Sequence, residues 1–245
     1  MYDTLRDVVC NKRPATDITQ AWQATDDIAD HMLYFLENHD EQRLASDFFA
    51  GNPQRGLPAL VVSAMMRPNP FMFYAGQEFG ERGMDSEGFS GRDGRTTIFD
   101  YWGVDTLSRR LNHMLSYNER ILEDTYAKVL NLANVEAALR NGKFFDLMYA
   151  NPASDHFYPF SNYAFLRKHN DEMILVVANF GGAPADIRVR IPAHAFDFLK
   201  IPEKKTTAID LMTGDKQTLT LTKDFEFGMT VGGYDARVWK MYVKK

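Results

Sequence analysis

The sequence predicts two kinds of structure in succession, an α/β portion at residues 1–141 and an antiparallel β-sandwich at residues 142–245. Three observations support this division. Before Asn141 and Gly142, long helical patterns surround two short apolar runs. After them, short alternating segments are broken by Gly, Pro, Asn and Asp, which is typical of strands and turns. The length of 245 residues allows one or two domains.

The first half predicts a strand–helix–strand unit. A helix end at residues 25–33 leads into a continuous apolar run at 32–36, which suits a buried parallel strand. Residues 57–65 are apolar at helical spacing, with Pro58 near the helix start, and a second apolar run follows at 70–74. Because a helix separates the two runs, their strands should pair in parallel. A charged, Gly-rich loop at 81–101 and helical structure at 115–132 complete this half.

The second half predicts about seven short strands. In one of them Ile187, Val189 and Ile191 face one side, while charged residues between them face the other. Turn residues between the segments favour a β-sandwich. Six of these segments have definite bounds, namely 143–149, 162–167, 173–180, 186–191, 218–222 and 234–243.

Composition excludes several classes of protein. The net charge of -5 argues against a nucleic-acid partner, which would require a basic surface. Cys10 is the single cysteine, so a disulfide framework and a cysteine metal site are both excluded. The polar start is not a signal peptide, and no apolar run approaches the ~20 residues of a membrane span. The cellular compartment stays open.

Two polar motifs directly follow the two predicted strands. The first, Glu-Asn-His-Asp-Glu-Gln-Arg, occupies residues 37–43, and the second, Tyr-Ala-Gly-Gln-Glu-Phe-Gly, occupies residues 74–80. Barrel enzymes place their chemistry at the carboxyl ends of parallel strands, so both motifs are candidate site segments. Structural roles are also possible, because Asp40 suits a helix N-cap and His39 could be a core histidine. Asp40 and Glu78 could also form a catalytic carboxylate pair.

Together the two motifs resemble the segments after the seventh and eighth barrel strands of the α-amylase family of glycoside hydrolases. The resemblance covers essentially the whole chain. It implies an incomplete (β/α)8 barrel at residues 1–141, beginning near the helix after the sixth strand, and the family's C-terminal β-sandwich at residues 142–245. Glu37 stands where the family more often has Asp, which is a minor departure.

The resemblance also implies roles for individual residues. Asp40 would hydrogen-bond sugar hydroxyls and stabilise the transition state of α-glucosidic bond cleavage, and His39 would donate to the same sugar. Asn38 and Arg43 would bind substrate, although Arg43 could instead orient Asp40. Glu78 would support the site without contacting the substrate. Tyr101 and Trp102 either stack on sugar rings or lie in a core.

The chain lacks segments that retention requires. Retaining glycosidases use a carboxylate nucleophile and a carboxylic acid, which the family carries after its fourth and fifth strands. The Gly-Arg-Asp-Gly-Arg segment at 91–95 follows the eighth strand and does not replace them. We therefore expect the C-terminal part of an enzyme that acts on α-glucans or maltooligosaccharides, inactive by itself. The alternatives are a non-catalytic α-glucan-binding or structural module and part of a glucosyltransferase of the same family.

Other expectations follow from the same resemblance. No cofactor is implied, and no metal site is expected because the usual calcium ligands of relatives lie in segments outside this chain. Neither a nucleic acid nor a membrane is expected as a partner. A barrel cut between strands exposes unpaired strand edges and apolar helix faces, so we expect the chain to self-associate.

Overall fold

The computed structural model describes residues 1–85, 92–99 and 103–244. Its α-helices are α1 (Tyr2–Val9), α2 (Asp17–Gln23), α3 (Leu57–Met65), α4 (Asp105–Leu111), α5 (Tyr117–Val135), α6 (Ala137–Asn141) and α7 (Ala193–Leu199). Its strands are β1 (Tyr34–Phe35), β2 (Phe71–Met72), β3 (Lys143–Asp146), β4 (Asn162–His169), β5 (Glu172–Asn179), β6 (Ala185–Ile191), β7 (Lys204–Asp210), β8 (Lys216–Leu221), β9 (Phe225–Val231) and β10 (Asp235–Tyr242). Short 3-10 helices occupy Asp26–His31, Pro53–Gly56, Gln77–Phe79 and Met148–Ala150.

The predicted strand–helix–strand unit is confirmed. Strands β1 and β2 pair in parallel, with Tyr34 opposite Phe71, and α3 connects them. Each strand has only two residues, shorter than the apolar runs, and within the described ranges each pairs only with the other. The predicted helix end at 25–33 differs: α2 stops at Gln23 and a 3-10 helix covers Asp26–His31.

Helix α3 is the shared centre of the molecule. Its sequence, Leu-Pro-Ala-Leu-Val-Val-Ser-Ala-Met, has no polar face, and every residue after Leu57 is buried. A helix that is apolar all round must be covered on all sides. It packs against β1 and α5, and also against strands β5 and β10 of the second half.

The second half contains a six-stranded antiparallel sheet in the order β3-β4-β5-β10-β7-β8 and a separate two-stranded β6–β9 ribbon. The ribbon packs against β5 and β10, where the rings of Phe227 and Trp239 lie 5.1 Å apart. Strand β5 is buried along nearly its whole length because α3 and the ribbon both contact it. This explains why its sequence is continuously apolar instead of alternating.

Two strands and one α-helix of the second half were not predicted. Strand β7 begins with Lys204 and Lys205, and their charges hide its pattern. Strand β9 contains Gly228, which weakens a strand signal. Helix α7 has seven residues, too few to establish a helical period.

Arg167 on β4 ties the two halves together. Its guanidinium is fully buried and donates to the carbonyls of Met65 at 2.9 Å, Leu139 at 2.8 Å and Gly142 at 2.9 Å. These carbonyls lie at the C-terminal ends of α3 and α6, where a cation is favoured by the helix dipoles. Burial and the neighbouring charge of Arg67 lower the pKa of Arg167 to about 10.

The buried core continues across the predicted boundary between residues 141 and 142. Asp146 on β3 also crosses it, accepting hydrogen bonds from Thr19 at 2.7 Å and Trp22 at 2.8 Å, both on α2. The division into two domains stays a prediction. Among the residues described, no helix is long and apolar enough to span a membrane.

Candidate functional site

Both sequence motifs lie at the same end of the parallel strand pair. The pairing of Phe35 with Met72 aligns the two strands, so residues 37–43 and 74–80 leave them side by side. In parallel sheets the carboxyl ends of the strands meet at one edge, which is where such folds place ligand chemistry.

Asn38 shapes the first loop. Its Oδ1 accepts hydrogen bonds from the backbone N–H groups of Asp40 at 2.8 Å and Glu41 at 2.9 Å, forming an Asx turn. The turn directs His39 and Asp40 outward, leaving their side chains 52% and 77% exposed, with His39 Nε2 3.4 Å from an Asp40 carboxylate oxygen. The residues after Asp40 form bends and turns, so Asp40 caps no helix.

A buried ion pair supports this loop from below. Arg43 and Glu37, with side chains 2% and 1% exposed, are joined by an Nη1–Oε2 bond of 2.8 Å. The other oxygen of Glu37 accepts the backbone N–H of Leu44 at 2.8 Å. Burial raises the pKa of Glu37, and the charge of Arg43 opposes that shift.

The same guanidinium holds two further segments. Arg43 donates from Nη2 to the carbonyl of Ala75 and from Nε to Oγ1 of Thr96, both at 2.8 Å, and its charge lies 4.2 Å from the ring centroid of Tyr74. The three guanidinium nitrogens are therefore all engaged by protein atoms. One side chain thus fixes the ends of both strands and the segment at 92–99 relative to one another.

Helix α1 braces the loop from outside. Arg6 donates to the Glu41 carboxylate at 3.0 Å and to the Gln42 amide oxygen at 2.6 Å, and Tyr2 stacks on Phe35 at 4.8 Å. These contacts hold the residues that flank Asp40, so the loop is fixed on two sides.

Glu78 turns back onto its own segment. Its Oε2 accepts the backbone N–H of Gly76 at 2.9 Å, inside a turn in which Gly76 and Gly80 both have positive φ. Burial is the main cause of the raised pKa of Glu78. Within the described parts of the chain, neither a hydrogen bond nor an ion pair joins Glu78 to Asp40.

An open depression of about 460 Å³ lies over the exposed pair. Its lining consists of His39, Asp40, Thr97, Ile98 and Phe99, the last two being exposed apolar side chains. Sequence reasoning missed residues 97–99, although an apolar Ile-Phe pair inside a polar loop was an available signal. Tyr101 and Trp102, the stacking candidates, lie outside the described residues.

A larger cleft, of about 580 Å³, lies at the other end of the strand pair, around Arg67, Asn69 and Arg140. It contains none of the predicted site residues, so size alone does not identify the site. In residues 1–85, 92–99 and 103–244, no group of three or more His, Cys, Asp or Glu side chains could hold a metal ion.

Similarity to solved structures covers the whole chain. A maltogenic α-amylase from Thermotoga neapolitana matches with a TM-score of 0.65 and 16% identity, covering 100% of this chain and 49% of that one. The α-amylase of Geobacillus thermoleovorans, solved with acarbose, matches with a TM-score of 0.63 and 18% identity, covering 98% and 47%. A cyclomaltodextrin glucanotransferase, CldA, gives 0.60 and 16%, covering 98% and 43%.

No protein-family profile and no curated protein sequence matches the chain. The chain spans a little under half the length of these three solved structures. At this identity the likeness establishes the fold. The chain therefore has the fold of about half of an α-amylase, as the motifs after its two parallel strands predicted.

Proposed function

We propose that this chain is the C-terminal part of a retaining glycoside hydrolase that acts on α-glucans. In this proposal residues 1–141 are the last portion of a (β/α)8 barrel and residues 142–245 are a β-sandwich. The observation that carries it is the presentation of Asp40 and His39 to an open depression, at the carboxyl end of a parallel strand pair. Whole-chain similarity to α-amylase structures supports it.

Asp40 is the group that would act on the sugar. An oxocarbenium-like transition state gains stabilisation from hydrogen bonds to ring hydroxyls that tighten as positive charge develops. The exposed carboxylate can accept such bonds, and the adjacent His39 imidazole can donate one. Ile98 and Phe99 offer apolar surface to a sugar ring in the same depression.

We assign Arg43 to positioning rather than to substrate binding. Its guanidinium nitrogens donate to Glu37, Ala75 and Thr96. The side chain is only 2% exposed, so a sugar cannot reach its remaining N–H groups. Asn38 likewise uses its Oδ1 to fold the loop that carries Asp40. Glu78 supports the second turn through Gly76.

The chain alone is proposed to be inactive. Retention needs a nucleophile and an acid separated by about 5–5.5 Å, and Asp40 serves as neither in this proposal. The open depression would also leave its charges screened by water. The purified chain should therefore not cleave a chromogenic maltooligosaccharide above background. Activity that disappears in Asp40→Ala would contradict the proposal and would mean that a second carboxylate pair operates in this chain.

Binding provides the complementary test. Acarbose, bound in the Geobacillus thermoleovorans structure, should bind this chain weakly, and Asp40→Ala should abolish that binding. Asp47→Ala is a matched control, because Asp47 is also an exposed carboxylate, 60% accessible, on the same loop region but outside the depression. Equal acarbose binding by wild type and Asp40→Ala would refute the site.

Two other functions use the same geometry. A non-catalytic α-glucan-binding module would bind acarbose in the same way, and it would remain inactive in every longer form of the protein. A glucosyltransferase is favoured by the match to CldA; product analysis of a longer, active form would distinguish transfer from hydrolysis.

We also propose that the isolated chain self-associates. Strands β1 and β2 pair only with each other among the described residues, so each leaves an unpaired edge. Leu33 and Phe73, beside these strands, are exposed apolar side chains. Unpaired edges beside apolar surface favour association.

A further inference from the structure

A second cluster of exposed rings lies on the β-rich half, away from the depression at Asp40. Tyr149, in the 3-10 helix after β3, is 63% exposed, and Phe198, in α7, is 48% exposed. His194, one turn before Phe198, is exposed between them. All three rings pack around the buried ring of Phe145, so they form a defined surface rather than three separate side chains.

The three exposed rings, called the row below, have fixed spacings and are tilted against one another, with His194 at 62° to Tyr149 and at 70° to Phe198. The His194 centroid lies 6.4 Å from that of Tyr149 and 6.4 Å from that of Phe198. Phe145 contacts each of them, with centroid distances of 6.2, 5.4 and 5.6 Å to Tyr149, His194 and Phe198. The Tyr149 hydroxyl also lies 3.3 Å from His194 Nδ1. The row is therefore preorganised, which lowers the entropy lost on binding.

Polar groups flank the row. Arg190 and Asp224, joined by a bond of 2.8 Å, are both about half exposed and are close enough to influence the Tyr149 hydroxyl electrostatically. At the other end the ammonium of Lys143 lies 5.5 Å from the Phe198 ring centroid. The rim thus offers hydrogen-bond donors and acceptors with a small net charge.

We propose that this row is a second binding surface for a neutral, linear α-glucan. A sugar ring has an apolar face and an edge of hydroxyls, and the row supplies aromatic surfaces inclined to one another and a polar rim. The choice of α-glucan rests on the function proposed above. Arg190 and Asp224 offset one another, which leaves Lys143 as the single net charge among these rim groups, a weak field for selecting an anion.

Size argues against a protein partner. From typical aromatic areas of 150–250 Å², Tyr149 and Phe198 together expose on the order of 200 Å². A stable protein interface needs about 800 Å² from each partner. The row is large enough for a few sugar rings and would supply only about a quarter of such an interface.

Affinity electrophoresis of the full chain through gels containing glycogen tests the proposal. Wild type should be retarded, and Tyr149→Ala and His194→Ala should each bind roughly tenfold more weakly, a change of about 1.4 kcal/mol. Tyr158→Ala is the matched control, because Tyr158 is 59% exposed on the same half and stacks on Phe160 outside the row. It should migrate like wild type. Asp40→Ala should keep the part of the retardation that depends on Tyr149 and His194.

Two results would overturn the proposal: no retardation of wild type, or equal retardation of wild type and both row variants. Thermal unfolding of each variant shows whether weaker glycogen binding results from misfolding. If Tyr149→Ala does not fold, His194→Ala, which removes a surface imidazole, still tests the proposal. If Asp40→Ala loses acarbose binding while Tyr149→Ala is retarded like wild type, the row is rejected and the proposed function is kept. The reverse pattern would keep the row and reject the Asp40 site.

Discussion

Replacing Arg43 by methionine should destabilise the protein strongly, because it leaves a buried charge without its partner. Glu37 is 1% exposed and would retain one hydrogen bond, from the Leu44 backbone, after losing the guanidinium. Removing one member of a buried ion pair costs about 3–5 kcal/mol. For a chain of this size each kcal/mol lowers the melting temperature by roughly 2–4 °C, so we expect a decrease of about 10 °C.

Calorimetry or urea unfolding at pH 7 measures this effect, with Arg82→Met as the control. Arg82 pairs with Asp47 at 2.7 Å, but both side chains are more than half exposed. An exposed pair contributes about 0–1 kcal/mol, so this control should change stability little. The double variant Glu37→Leu/Arg43→Met removes both charges and should recover much of the loss.

The loss should also depend on pH. Burial raises the pKa of Glu37, and Arg43 opposes that shift, so Arg43→Met should raise the pKa of Glu37 further. A carboxyl whose pKa is higher in the folded state binds its proton more readily there, so stability falls as pH rises through that pKa. The penalty of Arg43→Met should therefore shrink as pH is lowered toward the ordinary Glu range. A penalty equal to that of Arg82→Met, or one that does not vary with pH, would refute this reasoning.

Three further predictions concern the proposed architecture and site. Segment 142–245, a normal domain length, should show a cooperative thermal transition by itself, but at a lower temperature than the full chain because it loses α3 and the carbonyls of Met65 and Leu139 that Arg167 binds; a gradual melt would reject the boundary at residue 142. The full chain at ~100 µM, a concentration at which exposed edges associate, should scatter light as an oligomer, whereas a monodisperse monomer would argue against unpaired barrel edges. In a longer, active form, Asp40→Asn should lower kcat far more than it raises KM, because its hydrogen bonds strengthen in the transition state; an unchanged kcat with a higher KM would contradict that role.

Elements with a strong local pattern were predictable. The helix at Leu57–Met65 and the parallel pairing of its flanking strands follow from apolar runs separated by helical spacing. The lengths of β1 and β2 could not be predicted, because the number of residues that form a strand depends on the neighbouring strands. Each of these two strands has one partner within the described residues. Strand β7 was missed because its first residues are lysines, whose position on a strand is decided by pairing with β8.

The candidate site was predictable where one segment determines it. The motif at 37–43 identified His39 and Asp40, which the structure presents together. The burial of Arg43 could not be predicted from that motif, since its partners Ala75 and Thr96 lie 32 and 53 residues further along the chain. The position of Ile98 and Phe99 beside Asp40 was unpredictable for the same reason, since they lie more than 50 residues further along the chain.

The shared burial of α3 sets a rule for recombining this fold with others. One helix has its sides covered by β1, β5, β10 and α5, and Arg167 from the sheet caps its last turn. A chimera joined between residues 141 and 142 would pack this helix against foreign strands. The foreign sheet need not contain an arginine that donates to the carbonyl of Met65. A junction placed before Leu57 would transfer the helix together with the sheet that covers it. Exchange of parts between chains of this fold should therefore succeed most often when the crossover precedes this helix.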